Sequence, residues 1–363
     1  MVERITGAEP DGWHTGWAMT NHYQLPVQQQ WSTARPSAMP LEPRPYQQML
    51  RGPLHRWWSP LLSLLVAVAI ALPIMFAALI PVLIIGVIAQ VANPLTWSLT
   101  SIANVNNIGP VAFLYVNLSL ISLIPAAGLS IWIGHQIRPR YLSSVAGGIR
   151  WRWLFRCMLT VLPIWLIYLG IWVFVEAPQG AKPDDWLLLL IMVLVFTPFQ
   201  AAAEEYFFRG WILQNVGSWF ARPTVGLVVS IAVSIAVFAA AHGSPDPWII
   251  GSLGCLAVAS GIAAWRTGGL EAGIAMHTVH NVTAFTVVIL FGGWQESFIT
   301  QTKTATPAVF IFALIMHGSA LALILWQAKR QQVQQFYQPR HPSPQLFQDP
   351  QPAPALGWRP PMG

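Results

Sequence analysis

Eight times along its 363 residues this chain stays apolar for about the distance across a bilayer. The runs fall at about 60–91, 111–133, 154–175, 186–204, 224–242, 247–265, 270–293 and 307–327. Roughly 20 apolar residues of helix cross a hydrocarbon core, and in lipid every backbone polar group must be satisfied within the spanning structure. The pattern therefore predicts an all-α fold, a polytopic membrane helical bundle of about eight transmembrane helices. Charge agrees, since only 9% of residues are charged against about 25% in soluble domains, and the mean hydropathy is +0.52. The net charge of +6 then speaks to topology and not to nucleic acid, because Lys and Arg collect in cytoplasmic loops.

Arg44, Arg51 and Arg56 precede the first run, whose Pro73 and Pro81 predict a tilt or kink. Arg138, Arg140, Arg150 and Arg152 crowd the second connection, Lys329 and Arg330 follow the last run, and 92–110 carries no charge. An even number of spans with both termini in the cytoplasm fits this distribution. The acid-rich connection Glu176 to Asp185 suits the outer side, so the fourth span runs inward and brings Glu204 and Glu205 toward the cytoplasmic half. Residues 1–55 read as a disordered cytoplasmic tail with no visible signal peptide, and 328–363 as a disordered Pro/Gln-rich tail. Residues 56–180 supply N-terminal transmembrane helices. The sixth run is rich in glycine, alanine and serine, which lets helices approach closely.

Polar and charged groups at membrane depth are costly unless paired or used, and they concentrate between 190 and 293. They include Glu204, Glu205 and Arg209 in AAAEEYFFRG, His242 in VFAAAH, and His277, His280 and Asn281 in MHTVHN. A spacing of four puts Glu205 beside Arg209, and His277 beside Asn281, on one helix face each. One arginine then serves two carboxylates, and Glu204 is the surplus acid. In a partly dry site that acid can take a proton from water, while His242 on another helix holds or shuttles it. His277 and Asn281 can donate to an oxyanion forming on a carbonyl. These are parts for peptide hydrolysis through an activated water. Neither HExxH nor GxSxG occurs, and Cys157 and Cys255 are isolated in apolar runs.

EEYFFR fits EExxxR, FAAAH (Phe238 to His242) fits FxxxH, and HTVHN fits HxxxN, in that order along roughly 185–295. Together they resemble the CPBP family, the type II CAAX prenyl proteases and their bacteriocin-immunity (Abi-like) relatives. The resemblance implies an intramembrane endopeptidase with its core at 181–327, in which Glu204 and His242 activate water and His277 and Asn281 bind the oxyanion. Glu205 and Arg209 would organise the first motif, and Phe238 would shape the pocket wall. Cleavage of a prenylated tail is the family's eukaryotic activity. The Pro/Gln-rich tails look bacterial, so the expected substrate is a membrane-associated or lipidated protein segment near the cytoplasmic face of a bacterial plasma membrane. No nucleic-acid partner is expected.

The family has been described both as metal-dependent and as metal-free. Glu204, His242 and His277 could ligate zinc if three helices bring them within about 2 Å of one point; the sequence leans toward the bare glutamate. Rival readings are a proton- or ion-coupled transporter and a non-catalytic immunity or scaffold protein. Taken singly, the acids could be a solvated interfacial set or a structural ion pair, His242 an interfacial residue, and His277 with Asn281 an interhelical pair. His280 reads as packing behind the site and His317 as a packed residue. One difficulty is depth. His242 closes a run of 19 residues, about 27 Å of helix, whereas His277 lies about 10 Å into its own. Meeting requires tilted helices, a later membrane entry for the fifth span, or a turn at Gly243–Pro247 that dips inward.

Overall fold

The computed structural model describes residues 37–104, 107–176, 180–300 and 302–339. Among them are eight helices long and apolar enough to cross a membrane: α1 (Ser59–Ile88), α2 (Pro110–His135), α3 (Trp151–Val175), α4 (Trp186–Ser218), α5 (Pro223–Ala241), α6 (Pro247–Thr267), α7 (Glu271–Phe291) and α8 (Pro307–Arg330). The chain is an integral membrane protein of the predicted all-α class. Proline sets the breaks within the first two spans. Pro81 has no N–H for the carbonyl of Ala77, and α1 breaks at Ala78; Pro125 cannot serve Ile121, and α2 breaks at Ser122. A short helix, Pro94–Ala103, is capped by the Asn93 side chain and folds back so that Trp97 lies against Gly86.

The spans alternate between two unlike ends. One gathers residues 37–58, the α2–α3 connection, the α4–α5 and α6–α7 turns, and 331–339. Apart from Arg209, Lys182 and Lys303, every lysine and arginine of the described residues lies at this basic end. The other end holds Asp184, Asp185, Asp246 and Glu296, with Glu176 closing the helix of α3.

The basic end is tightly closed. Strand β1 (Arg44–Pro45) pairs antiparallel with β2 (Phe336–Tyr337). Tyr46, Met49 and Leu50 are buried, and the Tyr46 hydroxyl donates to the carbonyl of Leu142. The side-chain amides of Gln47 and Gln48 donate to the carbonyls of Pro223 and Phe220 at 3.2 and 2.8 Å, satisfying the α4–α5 turn. Residues 44–50 and 336–337 were expected within the tails; they are instead part of the packed fold. Their polar composition hides the reason, which is that the glutamines serve backbone carbonyls while Tyr46, Met49, Leu50 and Tyr337 are buried. The remaining tail readings, at 1–36 and 340–363, lie outside the described residues.

Beneath this layer the α6–α7 turn is itself covered. Gly268 has φ +67, and a side chain there would meet the carbonyl oxygens of Gln334 and Gln335 at 2.6 and 2.8 Å. Arg150 grips Glu271, the first residue of α7, through Nε–Oε1 and Nη2–Oε2 hydrogen bonds of 2.8 and 2.7 Å.

Helix registers resolve the depth problem. Along α4, Gly210 lies against Leu270, Glu205 against His277 and Gln200 against Asn281, so α7 runs antiparallel and starts level with Gly210. Helix α5 starts deeper, because Gly226 lies against Gly217, seven positions and about 10 Å further along α4. Ser234 Oγ reaches the Phe208 carbonyl at 2.9 Å. Eight residues on, His242 therefore comes level with Gln200. The two histidines come to similar depth because their helices begin at different levels, which is the later membrane entry of the fifth span considered from sequence.

Candidate active site

The acids enter the bundle at a change of helix type. After Glu205, residues Tyr206–Ile212 form a π-helical turn, a wide geometry often found at functional sites. Arg209 sits in this turn with no exposed surface. Its guanidinium carbon lies 4.3 Å from the centroid of the Phe238 ring, a cation–π contact away from water, and its Nη1 is 3.0 Å from Glu205 Oε1. The ion pair predicted from the spacing of four is formed.

His277 stands between two carboxylates. Its Nδ1 is 3.0 Å from Glu205 Oε1, and its Nε2 is 3.6 Å from Glu204 Oε2. A carboxylate paired with arginine only accepts, so Nδ1 carries a proton and donates it to Glu205, fixing the ring. Close approach of α7 makes this contact. A side chain at Gly273 would come 2.6 Å from Glu205 Oε2 and 3.2 Å from Ser260 Cβ of α6. Gly273→Ala is thus blocked by the site and by the helix behind it.

His242 caps the end of α5 and donates through Nδ1 to the carbonyl of Phe238 at 2.8 Å, which leaves Nε2 without a part in that bond. The Phe238 ring joins the motifs physically. Its centroid is 4.7 Å from that of His242, 6.2 Å from that of His277 and 5.0 Å from that of Phe208. Asn281 donates to Gln200 Oε1 at 3.2 Å, and Gln200 donates to Glu204 Oε1 at 2.5 Å. The sequence reading passed over Gln200. It lies one turn before Glu204 in QAAAEE, and a second polar group at membrane depth on the same face was the available signal.

Glu204, Glu205, Arg209, Phe238 and His277 thus form one contiguous buried group. Asn281 joins it through Gln200 and His242 through Phe238. Behind α7, His280 accepts a hydrogen bond at Nδ1 from Trp165 Nε1 at 3.0 Å, and His317 packs on both rings with centroids 5.3 and 5.6 Å away. Both residues occupy the layer behind the site.

Among the described residues no group of three or more His, Cys, Asp and Glu side chains is arranged to hold a metal ion. His242 touches the cluster through an aromatic ring, not through a nitrogen shared with Glu204 and His277. This donor arrangement does not fit the zinc ligand set considered from sequence.

Residues 185–283 match the family model described as Type II CAAX prenyl endopeptidase Rce1-like. Over this segment the chain is similar to the CAAX-protease family. The match begins at the head of α4 and runs past Asn281, so the Rce1-like segment contains all three motifs and the whole contact group around His277. It supports a CAAX-type protease acting on a membrane-associated peptide. The search of curated proteins found no match, and neither did the search of solved structures.

Proposed function

We propose that the protein is an intramembrane endopeptidase in which Glu204 acts as general base on a water molecule. The observation that carries this reading is the placement of one imidazole, His277, between Glu204 and an arginine-paired Glu205 in a buried site. Arg209 and His277 both engage Glu205 Oε1, which leaves Glu204 as the carboxylate available for proton transfer.

In this scheme Glu204 takes a proton from water while the water oxygen bonds to the scissile carbonyl carbon. The oxyanion that forms is stabilised by His277 Nε2, in its protonated form, and by the amide of Asn281. Collapse of the tetrahedral intermediate breaks the C–N bond, and the proton held by Glu204 passes to the leaving amine, directly or through His242. Gln200 orients both Glu204 and Asn281. No step is routed through a metal. A membrane-embedded or lipidated protein segment is the substrate class this depth serves.

The test is cleavage of a quenched fluorogenic peptide library by protein purified in detergent. Wild-type protein and His317→Ala cleave, and Glu204→Gln does not. Undiminished cleavage by Glu204→Gln, or ion flux in liposomes with no cleavage at all, defeats the proposal.

A further inference from the structure

Helix α6 carries three hydroxyl side chains, and they are used differently. Ser252 Oγ donates to the carbonyl of Ile249 at 2.9 Å and Thr267 Oγ1 to that of Ala263 at 2.8 Å, so both are satisfied within their own helix. Ser260 lies between them with no exposed surface, and its Oγ has no hydrogen-bond partner among the described residues. A hydroxyl in a helix can always turn back to the preceding turn, and a buried one left unpaired is costly. Ser260 is therefore held for a partner outside its own helix.

The rotation of α6 shows which partner. At Gly261 a side chain would meet Ile231 of α5 at 3.1 Å, and this turns Ser260 away from α5 and toward α7. A side chain on Gly273 of α7 would begin 3.2 Å from Ser260 Cβ and 2.6 Å from Glu205 Oε2, so the serine and the carboxylate flank one spot. Glu205 Oε1 meets both Arg209 Nη1 and His277 Nδ1 at 3.0 Å. Glu205 Oε2 is enclosed and has no hydrogen-bond partner among the described residues, and the same holds for Nε, Nη1 and Nη2 of Arg209. The unspent acceptor and donors thus belong to one ion pair and to the serine packed beside it.

We propose, building on the protease reading above, that Ser260 is a positioning residue for Glu205, holding Oε2 through one internal water. Internal waters join buried polar atoms that do not touch, and each makes about three hydrogen bonds. Here the water accepts from the Ser260 hydroxyl and from the Arg209 guanidinium, and it donates to Glu205 Oε2. The terminal torsion of a glutamate is broad, so a carboxylate held at one oxygen swings and takes Oε1 off the line between Arg209 and His277. Held at both oxygens it stays, His277 Nδ1 keeps its acceptor, and Nε2 keeps its place 3.6 Å from Glu204 Oε2. Ser260 touches neither the peptide nor the attacking water, and it acts on rate only through Glu205 and His277.

Two measurements on the full chain in detergent test this. Assayed on the fluorogenic peptides well below its thermal midpoint, Ser260→Ala lowers kcat about tenfold with KM within about twofold of wild type. Ser260→Cys, of similar size but a weaker donor, lies between the two. A wild-type kcat in Ser260→Ala, a cysteine protein no faster than the alanine one, or a change confined to KM overturns the inference. The second measurement is a double-mutant cycle on thermal midpoints, which does not depend on catalysis. Ser260→Ala costs less thermal stability in the Glu205→Gln protein than in wild type, because a neutral amide gives the bridge no charge to serve. Equal losses in the two backgrounds overturn the inference. Absence of cleavage by the wild-type protein would instead defeat the protease reading, and the cycle would still decide whether Ser260 serves Glu205.

Discussion

Two arginine–glutamate pairs, one half-buried at its arginine and one fully buried, flank the start of α7, and they are built differently. Arg150 and Glu271 saturate each other. Glu271 accepts from the Arg150 backbone N–H, Nε and Nη2, and Arg150 Nη1 donates to the carbonyl of Gln334. Arg209 and Glu205 share one 3.0 Å approach, and Glu205 Oε2 and the guanidinium nitrogens have no hydrogen-bond partner among the described residues. A saturated fork is a fastening, in which each polar atom already has its partner. An incompletely paired buried charge is costly, and such groups concentrate where chemistry is done. The first pair holds the basic end shut, and the second holds His277.

The comparison predicts that variants near Arg209 lose rate without melting, whereas variants at Arg150 and Glu271 melt. The largest effect is expected at Glu204→Gln, with cleavage down about 10⁴-fold, equivalent to about 5.4 kcal/mol of barrier, and an unchanged melting temperature. A melting temperature that falls in step with activity would break the distinction. Next comes Glu271→Ala, which strands a largely buried Arg150 and should destabilise the fold by about 3–5 kcal/mol, measured as a lower thermal midpoint in detergent. A stable Glu271→Ala protein would show that the fastening is ornamental.

Arg209→Lys keeps the charge but loses the planar cation over Phe238 and with it the orientation of Glu205. Its kcat should fall about 100-fold, or about 2.7 kcal/mol, with KM little changed; an effect confined to KM would move Arg209 from positioning to substrate binding. Gln200→Leu removes the link between Glu204 and Asn281 and should cost about tenfold in kcat, about 1.4 kcal/mol, with folding retained. The smallest effect is expected from a chelator. Because the donor geometry does not assemble a ligand set, cleavage rates before and after dialysis against EDTA should agree within about twofold, with no stoichiometric metal by elemental analysis. Loss of activity restored by zinc would replace Glu204 as an unaided base.

Much of the site was legible because helical spacing is short-range. Glu205 and Arg209 pair at a separation of four, as the spacing predicts, and His277 lies against both carboxylates. Gln200 went unnoticed because a single glutamine in an apolar run carries little weight until its partner on another helix is known. The packed segments at 44–50 and 336–337 were hidden for a related reason. Glutamine-rich sequence reads as solvated unless the carbonyls it serves are visible.

The chain's apolar periodicity and its prolines fixed eight spanning helices and the breaks in the first two, since bilayer thickness and missing N–H groups act locally along the sequence. Its charge placement also distinguished two ends. Only the tertiary structure decided that α5 and α7 start at different levels, that Phe238 joins His242 to His277, and that residues 44–50 and 336–337 pack over the basic end. Those facts depend on helix register, which close approaches such as Gly273 against Glu205 and Gly226 against Gly217 determine, and contacts between distant segments leave no periodic trace in a sequence.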